Sequence, residues 1–496
     1  MNHSPHVISI HILDDDSLLN IFYLYRPIFP GFGTVAEGNL AWKHGHWWYL
    51  LAHVCQRWRN LILGFASYLR LSLVCTNGTP VANMLQLSPL LPLTVEYHSE
   101  NGITAEDEEG LLLALEQRDR IRHLRLVLPF RDLQKLVMAI DEEFPILEYL
   151  IVLPWAEEGT ALMLPETLQA PNLRHLALRG FACPIRPRLY PTAVGLVTLC
   201  LTINHPSTYF QPNILLQWIS FMPQLENLAI LFTFPVPNRD VERQLTQIPI
   251  TTHITLPNLR QFFFQGVSAY LEAVVCRITT PRLEHLDIQF FKQLTFSVPS
   301  LELFVNTTEN LRFGNAGIAF QDGEVVIYFP EADTSPFIVW VDCWHLDWQV
   351  SSVVQISNAL TQVFSAVEHL VLHHRVHNQS SEEHNNVDQI EWRNLLRSFS
   401  NVKTLLVEDG LVEQLSRCLG LEDGESPLEL LPELQELTHC GRRNTGDAFT
   451  SFIDARRNAG RPVSLVHLNP IPIPSKSPFV PAITSASGEA GNGIET

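Results

Sequence analysis

The chain has 496 residues, 46% of them hydrophobic and 17% charged, which is too apolar for an intrinsically disordered protein and too long for one small core. Acids outnumber bases 52 to 33, for a formal net charge of −19, and this argues against a phosphate backbone or an anionic membrane surface as partner. No run approaches the roughly 18 consecutive apolar residues that a membrane-spanning helix needs.

At the N-terminus, Met1 to Asp16 has no positive region followed by an apolar core, so no secretory signal is expected. The eight cysteines (Cys55, Cys75, Cys183, Cys200, Cys276, Cys343, Cys418, Cys440) stand singly, with no C-x-x-C pair. Reduced, buried thiols in an intracellular protein of cytoplasm or nucleus are the expectation. Asp14-Asp15-Asp16-Ser17 precedes Leu18-Leu19-Asn20-Ile21-Phe22 and predicts a helix start, because acids and hydroxyls accept free amide hydrogens and suit the helix dipole. Trp47, Leu51, Val54, Trp58, Leu61 and Phe65 then fall at alternating steps of four and three, which predicts a second helix with one apolar stripe. Two short apolar helices cannot bury themselves in isolation. They need each other, the rest of the chain, or a partner.

From residue 121 a short phrase recurs: apolar, two variable residues, apolar, one variable, apolar. It reads Ile121 to Leu126, Leu147 to Val152, Leu173 to Leu178, Leu196 to Leu201, Leu225 to Ile230, Leu259 to Phe264 and Leu283 to Ile288. It returns at Val367 to Leu372, Val402 to Val407 and, weaker, Leu434 to Leu437. Its last three positions alternate in, out, in, as a strand requires. Pro171, Pro223, Pro257 and Pro281 stand two residues before the phrase, ending what precedes and feeding an extended strand. Between phrases, Asp132–Glu143, Asn213–Met222, Tyr270–Ile278, Ser352–Phe364 and Asp388–Phe399 carry helical spacing. Strand then helix at a roughly fixed period is the mark of leucine-rich repeats, which stack into a right-handed curved solenoid. The stretch Pro299–Val350 fits poorly: Leu301–Phe304 and Phe337–Val341 look like strands, and two irregular repeats or a β-rich insertion are both open. From residue 461 the chain turns rich in Pro, Ser and Gly, the composition of a disordered tail.

The segment Leu13 to Phe22, followed by His53-Val54-Cys55-Gln56-Arg57-Trp58-Arg59-Asn60-Leu61, resembles the F-box, the second part looking like its V-C-x-x-W-R-x-L segment. The continuation from Tyr68 to Val81 is similar to a stretch in fungal F-box proteins with degenerate leucine-rich repeats. The resemblance implies an α/β chain in three parts: an F-box-like helical domain over 8–66, a leucine-rich-repeat solenoid with a curved parallel sheet over 67–460, and the tail 461–496. It further implies the substrate-recognition subunit of a Skp–cullin–F-box ubiquitin ligase. The helices would bind a Skp-type adaptor, and through it the cullin, while the repeats hold an unidentified protein substrate. Adaptor-facing candidates by that resemblance are Leu13, Leu18, Leu19, Ile21, Phe22, Val54, Cys55, Trp58 and Leu61. The alternative is a repeat scaffold whose N-terminal helices only cap the solenoid.

The outward residues of the strands are the expected substrate surface: Arg179, Leu231, Phe263, Gln265, Asp287, Gln289, His373 and Glu408, with Leu231 and Phe263 as exposed anchors. Histidines 123, 175, 285 and 369 precede the middle leucine and read as half-buried residues at the edge of that face. Nothing points to an enzyme, a cofactor or a metal. Gly31-Phe32-Gly33-Thr34-Val35-Ala36 formally matches a dinucleotide fingerprint but follows no strand, and His373-His374 ends a predicted strand where helical chelation fails.

Overall fold

The computed structural model describes residues 12–25, 47–155, 161–182, 187–234, 253–291, 296, 298–331, 334–375, 387–420, 426, 428–440 and 448–468. They form a mixed α/β protein with a large, mostly parallel sheet and no closed barrel. No described helix is long and apolar enough to cross a membrane. The chain divides into two compact units, the first holding the described residues up to 155 and 165–173, the second those of 161–164 and from 174 onward. The dinucleotide-like Gly31 segment lies outside the described residues, and so does Cys183.

The first unit opens with helices α1 (Asp15–Tyr25), α2 (Trp47–Ala52) and α3 (Gln56–Gly64). The Asp14 carboxylate accepts the Ser17 amide N–H at 2.7 Å, the cap that the acidic start predicts. That bond also holds the Asp14 carboxyl below its ordinary range. Asp15 acts between helices, since Arg57 of α3 donates to it at 2.7 Å and to the Leu13 carbonyl at 2.7 Å, fastening α3 to the start of α1. The predicted unbroken stripe from Trp47 to Phe65 is interrupted. Cys55 is extended, with φ −160° and ψ 168°, so α2 and α3 each turn their own apolar face inward. The Arg59 guanidinium caps the break by donating to the Ala52 carbonyl at 3.1 Å.

Four parallel strands follow in chain order: β1 (Leu73–Thr76), β2 (Leu93–His98), β3 (Ile121–Leu128) and β4 (Tyr149–Pro154). In the second unit, β5 (Leu162–Met163) pairs with β7 (Phe181–Ala182), and β10 (Ile254–Thr255) with β12 (Ile278–Thr279), as two-residue ladders. Its main sheet begins with β6 (His175–Arg179), β8 (Thr198–Ile203), β9 (Asn227–Phe232), β11 (Gln261–Gly266) and β13 (His285–Phe290), all parallel. It ends with β17 (His369–Arg375), β18 (Thr404–Glu408), β19 (Glu436–Cys440) and β20 (Ser464–Leu468), again parallel. The strand β20 takes in the first part of the expected tail; 469–496 lies outside the described residues.

From β4 onward the recurring phrase maps onto the strands at a constant offset, whereas β3 starts at the first residue of its phrase, Ile121. Each of β4, β6, β8, β9, β11, β13, β17, β18 and β19 starts at the phrase's third residue. The first residue is buried every time, from Leu147 to Leu434, and at Leu147, Leu173, Leu196, Leu225, Leu259, Leu283, Val367 and Leu434 its amide closes a turn onto the carbonyl three residues back. Leu173 donates to Ala170 at 3.1 Å, Leu225 to Met222 at 3.2 Å and Leu283 to Thr280 at 3.2 Å. The prolines expected to end a helix are instead the second residues of these turns, where a φ fixed near −65° is already correct. Helices occupy the linkers with shifted ends: Phe130–Val137, Pro212–Ile219, Ser268–Val275 and Leu346–Ala359 with Thr361–Ser365 all start before the expected residue, and only Gln389–Arg397 is trimmed at both ends.

The irregular stretch holds an antiparallel meander: β14 (Asn315–Gln321), β15 (Glu324–Glu331) and β16 (Thr334–Asp342). It enters the sheet in reverse, β16 beside β13 and β14 beside β17, both contacts parallel. The strand expected at Phe337–Val341 is present. The one expected at Leu301–Phe304 is not: those residues belong to the helix Pro299–Asn306, with Leu301, Phe304 and Val305 buried and Leu303 exposed, a helical and not an alternating period. The Glu272 carboxylate, from the preceding helix, accepts the Ser300 and Leu301 amides at 2.8 Å each and so caps this helix. Replacing Glu272 by Ala is expected to lower stability by about 1–2 kcal/mol in urea titration, whereas Glu272→Gln, which keeps an acceptor, is expected to lose less.

Candidate functional site

The sequence singles out two surfaces, and they lie in different units. In the helical part of the first unit the nine adaptor candidates separate sharply. Leu18, Leu19, Phe22, Trp58 and Leu61 are buried, with the Phe22 and Trp58 rings edge to face at 4.9 Å. They make the interior of the helical layer. Leu13 and Cys55 are half-buried, while Ile21 is 43% exposed and Val54 57%. Beside these the described residues expose Leu24 at 81% and Leu50 at 73%, neither among the candidates. Ile21 and Leu24 are one turn apart on α1. The helices are thus apolar toward the core and carry exposed apolar side chains as well.

On the second unit's sheet, pleat alternation sends the leucines of the phrase to one face and their neighbours to the other; β9, β11 and β13 alternate half-buried with buried residues throughout. All eight predicted surface residues are on the outward face, and all are half-buried. Leu231 and Phe263 are therefore not the exposed anchors expected, because flanking strands about 4.8 Å away cover their sides. Strand register sets most of the eight in a single row. It runs Arg179, Thr202, Leu231, Gln265, Gln289, then Trp340, Val326, Ala319 and His373. His373 Nδ1 lies 2.8 Å from the Glu408 carboxylate, whose other oxygen accepts the His374 amide at 2.8 Å. A second row places Phe263, Asp287, Ile338 and Tyr328 side by side.

The centre of this face is the meander, which carries a feature that local patterning did not signal. Ala319, Val326 and Ile338 form a buried apolar cluster, with Tyr328 and Trp340 packed against it. The pleat puts it on the opposite side of the sheet from the leucine core, since Val325, Ile327 and Phe329 fill that core instead. Gly317 makes the cluster possible: a Cβ there would run into the Tyr328 ring. Around the cluster are three carboxylates. Burial pushes Asp287 up to about 7, against the opposing effect of a hydrogen bond from Trp340. Asp342 and Glu324 are directly opposed across β15 and β16. Burial raises both, and the Asp342 charge raises Glu324 further. The Gln289 amide donates to Asp342 at 2.9 Å. Past the end of β16, Trp344 stands 78% exposed.

Histidines 123, 175 and 285 are half-buried as expected, and His369 is exposed. The ring of His175 meets Thr198 of the next strand at 3.1 Å, and His369 meets Thr404 at 2.7 Å. Burial and the nearby Arg174 bring His175 down to about 4, so it is neutral at neutral pH. Among the described residues no group of three or more His, Cys, Asp or Glu is placed to hold a metal ion. Of the described cysteines, Cys75, Cys200, Cys343 and Cys418 are buried, Cys55 and Cys440 half-buried, and Cys276, against expectation, exposed. Neither the family models nor the curated proteins include a match to this chain.

Proposed function

We propose that the chain is a substrate-recognition subunit of a Skp–cullin–F-box ubiquitin ligase, its N-terminal helices binding a Skp-type adaptor and its strand face a protein substrate. The observation that carries this reading is the exposure of apolar side chains on the N-terminal helices and the turn between them. Ile21 and Leu24 on α1, Leu50 on α2 and Val54 in the turn after it are left in water, although the helices have already filled their own interior. Exposed apolar side chains on short helices favour a protein partner. A scaffold whose helices only cap the sheet is the competing reading. It draws on the bonds from Trp48 Nε1 to the Ser72 carbonyl, 3.2 Å, and between Tyr49 and Ser88, 3.3 Å, which tie α2 to the strand region of the same unit.

Co-expression with the Skp-type adaptor of the same organism separates the two. Capture of the adaptor by the wild-type chain is expected, with loss of capture in Ile21→Asp combined with Val54→Asp while the circular dichroism spectrum and thermal midpoint are kept. A wild-type chain that fails to retain the adaptor leaves the capping reading standing.

A further inference from the structure

We propose that the outward face of the sheet around the meander binds a lysine- or arginine-bearing segment of a protein partner, the cation set against Asp287, Asp342 and Glu324 and the flanking apolar groups against Trp340, Tyr328 and Phe263. The inference rests on the reading of this face as the substrate surface and names the chemistry it selects.

Three features of the face meet here. The first is shape and composition. The sheet carries a second apolar cluster on its outward side, roofed by two aromatic rings that remain half accessible. Aromatic rings at such a position give large contact area with little ordering cost and attract cations through their faces. The second is charge that the described side chains leave without a cation. Gln289 and Trp340, both neutral, supply the hydrogen bonds to Asp342 and Asp287, and among the described side chains no Lys or Arg forms an ion pair with any of the three carboxylates. The third is placement. Glu324 and Asp342 stand directly opposite one another on neighbouring antiparallel strands, an arrangement that like charges destabilise and that a cation between them relieves. A partly desolvated carboxylate lacking a cation is complementary to a basic side chain brought by a partner. An acidic segment or a nucleic acid meets repulsion at the same place, in keeping with the net charge of −19.

The test is selection of random twelve-residue peptides displayed on phage against the full chain, followed by calorimetric titration of the best peptide. Enriched sequences are expected to carry Lys or Arg next to an aliphatic or aromatic residue. Their affinity is expected to fall about tenfold or more in the triple variant Asp287→Asn, Glu324→Gln, Asp342→Asn. Because these exchanges remove charge without changing shape, and relieve repulsion, the thermal midpoint is expected to hold or rise, so lost binding is not lost folding. A Trp340→Ala variant is expected to bind several-fold more weakly at unchanged salt dependence. Enrichment of acidic or neutral peptides, no enrichment, or equal binding by the triple variant overturns the proposal. Adaptor capture by the same preparations is read in parallel. If capture persists while peptide selection fails, this inference falls alone, and if capture also fails the ligase reading falls with it.

Discussion

Replacing Phe22 by Ala is expected to unfold the helical layer of the first unit, at a cost of about 3–5 kcal/mol, while Ile21→Ala next to it costs well under 1 kcal/mol. The two residues are adjacent in sequence and differ in what surrounds them. Phe22 is 1% exposed and meets the Trp58 ring at 4.9 Å, and Ile21 faces water. Truncating Phe22 removes the transfer energy of the ring and leaves a cavity that Leu18, Leu19 and Trp58 cannot close without moving. Urea denaturation followed by tryptophan fluorescence reads both variants. Equal stability of the two would mean that the helical layer is not organised around Phe22. The contrast has a practical side, since a loss of adaptor binding in a Phe22 or Trp58 variant would report unfolding and only the Ile21 and Val54 exchanges address the surface.

Asp287→Asn is expected to stabilise the protein, and by an amount that grows with pH. In the folded state burial holds this carboxyl at about 7, against 3.8 for its ordinary value. The folded form therefore keeps a proton that the unfolded form releases. Below about pH 4 both forms are protonated and Asp287 costs nothing. Between about pH 4 and 7 the unfolded state is favoured progressively by ionisation, and above 7 the penalty is constant. Asn carries no such penalty. With about 1.4 kcal/mol per unit, reduced because the side chain is only half-buried and water screens it, the gain at pH 8 comes to about 1–3 kcal/mol. Urea midpoints at about pH 4.5 and pH 8 provide the check, and a difference between Asn and Asp that does not widen with pH would show that Asp287 is well solvated. A stabilising exchange at a position that also weakens peptide binding is the trade expected of a binding residue.

Much of the strand layout was legible in the sequence. The phrase sets where a strand begins because its first apolar residue must be buried at the turn and its last two must point inward. Only residues 149, 175, 198 and their counterparts satisfy both at once. Leu301–Phe304 marks the limit of local patterning, because four apolar residues fit a strand or a helix equally well and the decision belongs to Glu272, a capping group 28 residues earlier. The break at Cys55 is equally unmarked, with no Pro or Gly to signal it. On the outward face, Asp287 was placed correctly by alternation alone. Glu324 and Asp342 were not singled out, since their pairing depends on a hairpin order that no local pattern states.

The reversed three-strand insertion preserves the direction of the chain. An odd number of zigzag strands enters at one end of the sheet and leaves at the other, just as a single strand does, so neither β13 nor β17 has to turn round to accommodate it. Elsewhere the outward surface is assembled a few residues at a time from segments dozens of positions apart. Across the meander, a width of roughly 14 Å, it is written in one continuous stretch from Asn315 to Asp342. That stretch can be rewritten as a block, which lets the outward surface change without renegotiating the packing on either side.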